Sequence, residues 1–119
     1  MPASRHDFDP LAAVIDWLDA CRAGELNTLL SLYDDHATLV CACEGMSITG
    51  RHALNQYWRE KIATKALFAF RLEDMTLDGH DVQVDYQNYE GKPVRVRFSF
   101  DTVGKIVLTT CEPLGQCGF

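Results

Sequence analysis

The chain has 119 residues, 47% of them hydrophobic, and 11 Lys and Arg against 17 Asp and Glu give a formal net charge of −6. That composition furnishes one apolar core, and the lack of any basic run argues against a nucleic-acid surface or an anionic membrane as partner. No apolar run approaches the roughly 20 residues that cross a bilayer, and the charged opening Met-Pro-Ala-Ser-Arg-His-Asp lacks the apolar centre of an export signal, so a cytoplasmic protein is expected.

Residues 1–9 read as a polar arm and residues 10–119 as a single domain. Asp9 caps a first helix whose opening turn is set by Pro10. Its buried stripe is Leu11, Val14, Leu18 and Cys21, widened by Ile15 and Trp17, and Gly24 ends it. Leu26, Leu29, Leu30 and Tyr33 mark a short second helix that leads to an Asp34-Asp35-His36 corner. Beyond it, the β-rich run Ala37 to Cys43 is expected as a strand, and Ser47 to Gly50 as a brief extended piece. A third helix runs from Arg51 to Ala63, with Leu54, Tyr57, Trp58 and Ile62 on its apolar side.

From Ala66 onward strand follows strand: Leu67 to Thr76, Val82 to Tyr89, Pro93 to Asp101 and Lys105 to Cys111. They are separated by Asp78-Gly79, Glu90-Gly91 and Val103-Gly104, each a hairpin turn signal, so an antiparallel meander is expected. Alternation in Val94 to Phe100 sets the apolar residues on one face and Arg95, Arg97 and Ser99 on the other, with Gln83 and Asp85 of the preceding strand opposite the arginines. Five cysteines, Cys21, Cys41, Cys43, Cys111 and Cys117, show no framework spacing and read as reduced thiols.

This order is an α+β layout: three N-terminal helices packed in a strongly curved, mainly antiparallel sheet. The segments Ala23-Gly24-Glu25-Leu26, Leu32 to Thr38 and Gly50-Arg51-His52-Ala53-Leu54 resemble the SnoaL-like and ketosteroid-isomerase-like branch of the nuclear transport factor 2-like superfamily, from about Leu11 to Cys111. The resemblance implies a cone-shaped fold with a cavity at its wide end, and a homodimer formed through the outer sheet face.

Ketosteroid isomerases of that superfamily use a carboxylate base and two oxyanion donors, a tyrosine and a protonated aspartate, a known case of pKa tuning. By motif, the tyrosine falls on Trp17, the base on Cys41, and the aspartate on Val96 or Phe100. The resemblance thus implies a site in which all three roles are lost. The implied cavity lining is Trp17, Leu39, Cys41, Trp58, Val96, Phe98, Thr109 and Cys111, an apolar set suited to a small apolar molecule.

Candidate catalytic groups are Asp35, His36 and Cys41. Paired carboxylates beside an apolar cavity raise one another's pKa, which would suit Asp34 or Asp35 to general-base work, although such pairs more often form a solvated exit. Cys41 and Cys43 share a strand face and supply a nucleophile only if a base stands near; otherwise they are two small core residues. Tyr57, Tyr86, Tyr89 and Gln87 are the further polar groups within reach of a ligand. Zinc-type spacing is absent, and no phosphate loop or nucleotide fingerprint occurs, so neither metal nor cofactor is expected. Three function classes stay open: a small-molecule-binding homodimer, a proton-transfer isomerase, cyclase or hydratase acting on a cyclic or polyketide-like substrate, and a protein-interaction module using the outer sheet.

Overall fold

The first helix, α1 (Pro10–Ala23), begins where the Asp9 carboxylate accepts a hydrogen bond from the Leu11 amide at 3.0 Å. It ends at Gly24, whose φ of 68° is the left-handed conformation a glycine adopts without strain. The computed structural model describes residues 9–42, 45–64, 70–88 and 90–113. Within them α2 (Leu26–Ser31), β1 (Tyr33–Cys41), β2 (Met46–Thr49), α3 (Arg51–Thr64), β3 (Arg71–Asp78), β4 (Asp81–Gln87), β5 (Pro93–Phe100) and β6 (Ile106–Pro113) follow in order. Cys43, Cys117 and Tyr89 lie outside the described residues, as does the expected strand segment 67–69.

The six strands form one curved sheet in the order β2-β1-β6-β5-β4-β3, every neighbouring pair antiparallel except β1 with β6, which run parallel. Alternation places Val82, Val84 and Tyr86 of β4, Val94, Val96 and Phe98 of β5, Thr109 and Cys111 of β6, and Ala37, Leu39 and Cys41 of β1 in the interior. Register then aligns them in rows across the sheet: Leu39 beside Thr109, Phe98 and Val82, and Cys41 beside Cys111, Val96 and Val84. The buried faces of α1 and α3, led by Trp17 and Trp58, close over these rows. Arg22 of α1 donates to the carbonyl of Phe70 at 3.1 Å and so pins the approach to β3.

Three expectations are corrected. Tyr33 opens β1 instead of closing the second helix, and Asp34-Asp35-His36 is a bulged stretch inside that strand instead of a corner ahead of it. The cause is long-range pairing: Tyr33 is matched with Ile106, and the Ile106 amide donates to the Leu32 carbonyl at 2.8 Å. Ile15, placed in the buried stripe of α1, is 37% exposed. Full burial of Trp17 and Ala20 turns the helix toward that flank and lifts Ile15 out.

Candidate functional site: an aromatic interior with buried hydroxyls

Trp17 sits at the centre of the interior because α1 presents it directly to the concave sheet. Its ring meets Trp58 edge-on at 5.9 Å, Phe98 at 5.0 Å and Tyr86 at 6.1 Å, and lies stacked on Phe70 at 6.3 Å. Such tilted pairs favour the aromatic quadrupoles as well as excluding water. The indole N–H donates to the Tyr33 hydroxyl at 3.1 Å, and the Thr109 hydroxyl approaches the same oxygen from β6 at 3.5 Å. Trp17, Tyr33 and Thr109, from three separate elements, thus share one polar point in a mainly apolar interior.

Burial pushes the Tyr33 phenol well above its usual range, an effect that hydrogen bonds from Thr109, Trp17 and Trp58 partly oppose. Tyr86 is raised too, first by burial and then by the neighbouring thiols Cys111 and Cys21. Cys21 is raised by burial, against the pull of Arg22. Near neutral pH these three groups are therefore neutral, and each phenol is a donor rather than a base.

The eight residues named for the lining, Trp17, Leu39, Cys41, Trp58, Val96, Phe98, Thr109 and Cys111, are all fully buried. Phe100, the other position matched to the isomerase aspartate, is partly buried and stacks on Phe98 at 6.4 Å. The three candidate catalytic residues are not brought together. Cys41 is inside, while the Asp35 side chain is 72% exposed and bonded to Arg51 Nε at 2.9 Å. His36 is 91% exposed, its amide donating to the Asp34 carboxylate at 2.9 Å. The bulge explains the outward turn: Asp34 to Ala37 span the interval between the pairs Tyr33–Ile106 and Thr38–Leu108, where β6 offers only Val107.

Of the other polar candidates, Tyr57 is half-buried against Trp58 at 5.2 Å, with the Lys61 ammonium over its ring. Gln87 donates outward to Glu73 at 2.7 Å. Arg95 stands opposite Asp85 and grips it through two hydrogen bonds of 2.8 and 3.1 Å. Arg97 stands opposite Gln83 in the ladder, but its guanidinium reaches Asp78 and Asp81. Tyr33 is the interior polar group that the sequence reading missed, because its spacing from Leu26 and Leu30 fits a helix stripe. Among the described residues no group of three or more His, Cys, Asp or Glu could hold a metal ion, and no helix is long and apolar enough to cross a membrane.

Solved structures share this architecture. A SnoaL-like protein from Burkholderia thailandensis superposes with a TM-score of 0.81 at 19% identity, covering 89% of this chain and 94% of that one. A protein from Catenulispora acidiphila with a ketosteroid isomerase-like fold, solved in complex with trimethylamine, gives 0.73 at 16% identity over 88% of each chain. The epoxide hydrolase/cyclase-like enzyme SalBIII, which takes part in pyran ring formation in the polyether salinomycin, gives 0.71 at 15% identity over 91% of this chain and 92% of its own. At such identities the likeness is one of fold. A search of curated proteins returned no significant match. The family model for the SnoaL-like domain matches residues 14–107, most of the chain. With its curved six-stranded sheet and three helices ahead of the β3 to β6 strands, the chain belongs to the SnoaL-like domain family.

Proposed function

We propose that the chain is a small-molecule-binding SnoaL-like protein that takes an apolar molecule between the helices and the concave sheet face and lacks ketosteroid isomerase chemistry. The observation that supports this most is the partition of side chains. Trp17, Cys41 and Val96, the positions matched to the isomerase donors and base, are buried among apolar neighbours, while Asp35 and His36 stand in solvent. An interior of that kind attracts apolar surface, and among the described residues the fully buried side chains include no carboxylate or imidazole to move a proton. The complex of the Catenulispora acidiphila neighbour with trimethylamine is consistent with small-molecule capture on this fold.

The test is titration of the protein with ethylbenzene, indole and acetophenone, followed by intrinsic tryptophan emission and thermal unfolding, alongside an assay for double-bond migration in a β,γ-unsaturated ketosteroid. Saturable changes in emission and a ligand-dependent rise in Tm, with no turnover, are expected. Absence of saturable binding by all three, or turnover of the steroid, overturns the reading.

The fold shared with SalBIII favours a second reading, a proton-transfer enzyme on a cyclic or polyketide-like substrate. Its ionisable group inside would be Cys41, and a Cys41→Ser variant that keeps full turnover of such a substrate would remove it. Self-association through the outer sheet face is proposed with either reading and is checked by light scattering.

A further inference from the structure

Two tyrosines of the interior differ in one respect. The Tyr33 hydroxyl accepts hydrogen bonds from Trp17 and Thr109, whereas the Tyr86 hydroxyl, equally buried, has no hydrogen-bond partner among the described residues. Tyr86 lies on the inner face of β4 in the same alternation as Val82 and Val84, with its ring 4.7 Å from Phe70 and 6.1 Å from Trp17. A buried hydroxyl left without a partner is destabilising, and folded proteins seldom leave one so unless something else fills it.

We propose that the Tyr86 hydroxyl is the hydrogen-bond donor for an oxygen acceptor carried by the bound molecule, which makes the ligand class a neutral apolar ketone, ester or ether. The inference rests on the binding role proposed above and specifies its chemistry. The surroundings define the sign of the partner. The ionisable groups that act most on Tyr86 are Cys111, Cys21, Tyr57 and Tyr33, all thiols or phenols and none of them cationic. A phenol in that company keeps its proton and donates it. An anionic ligand would enter without a countercharge, whereas a neutral carbonyl or ether oxygen accepts the bond with little desolvation cost. The stacked rings of Trp17 and Phe70, both against the Tyr86 ring, suit the apolar body of such a molecule.

The experiment compares acetophenone with α-methylstyrene, which has a methylene in place of the carbonyl oxygen, by calorimetric titration of the wild type and Tyr86→Phe. Acetophenone is expected to bind Tyr86→Phe about 10-fold more weakly than the wild type, while the affinity for α-methylstyrene changes by less than about 2-fold. Equal weakening of both probes would assign Tyr86 a packing role and overturn the proposal. Unchanged acetophenone binding would show that the hydroxyl is filled otherwise, for example by a buried water, and also overturn it. Failure of both probes to bind the wild type removes the binding role itself, an outcome distinct from the first two. Thermal unfolding supplies an independent check: Tyr86→Phe is expected to hold or raise Tm, because it deletes an unsatisfied polar atom, and a clear fall would reveal an internal partner and sink the proposal.

Discussion

The indole N–H of Trp17 and the hydroxyl of Tyr33 meet at 3.1 Å, tying α1 to the first residue of β1 where both side chains are fully buried. Tyr33→Phe would leave the Trp17 N–H facing an apolar ring and strip Thr109 of the same acceptor. A loss of about 1–3 kcal/mol is expected, read as a lower urea midpoint at constant slope. The opposite behaviour of Tyr86→Phe is what separates a satisfied phenol from an unsatisfied one.

Alkaline pH addresses the same interior. Cys21 has an ordinary value of 9.0 and the two tyrosines 10.0, and all three are raised in the folded protein, mainly by burial. Above those ordinary values the unfolded chain releases protons that the folded chain keeps. Stability is therefore full below pH 9 and falls as pH rises toward the folded values, by on the order of 1 kcal/mol per pH unit for each group engaged. Urea midpoints between pH 7 and pH 10.5 check this, and Cys21→Ala should make the fall shallower by removing one of the groups.

Arg51 and Asp35 form an exposed pair, but the two partners are unequal. The Arg51 guanidinium also donates to the carbonyls of Leu30 and Tyr33, each at 3.2 Å, so it joins the start of α3 to the end of α2 and the start of β1. Asp35→Asn is expected to cost under about 1 kcal/mol, as surface pairs do. Arg51→Ala, which strips two carbonyls as well, should cost about 1–2 kcal/mol. A double-mutant cycle on the two positions measures the difference.

Gly24 offers a prediction about backbone alone. A Cβ at this position would find Ile62 Cγ2 at 3.6 Å, an ordinary contact, so crowding is not the obstacle. The φ of 68° is. Gly24→Ala should destabilise by about 1–2 kcal/mol, and Gly24→Asn by less, since Asn tolerates the left-handed region. Chemical denaturation of the two variants would show the order.

Local rules served best where neighbours in sequence are also neighbours in space. The Asp9-Pro10 start and Gly24 stop of α1 follow from capping chemistry, and the Val94 to Phe100 alternation follows from the pleat. The facing of Arg95 to Asp85 and of Arg97 to Gln83 could be read off the hairpin turn between their strands. What stayed illegible depends on partners far along the chain. That Tyr33 is a strand residue and not a helical one is decided by Ile106, and the outward turn of Asp35 is decided by the extra residues in its stretch of β1. The site was legible as a set of inward residues. The contrast between Tyr33 and Tyr86 was not, because the difference is whether Trp17 and Thr109 come within reach, and sequence spacing carries no such distance.

Among the described strands β6 is the last in sequence, yet it lies in the middle of the sheet, between β1 and β5. A nascent chain halted ahead of Ile106 would own a β1–β2 ribbon and a β3–β4–β5 meander with no backbone ladder joining them. Each fragment would present a bare edge, β1 on one and β5 on the other, open to proteases and to edge-to-edge association. Assembly must therefore wait for a late, long-range closure, the kind of step that makes folding slow and cooperative.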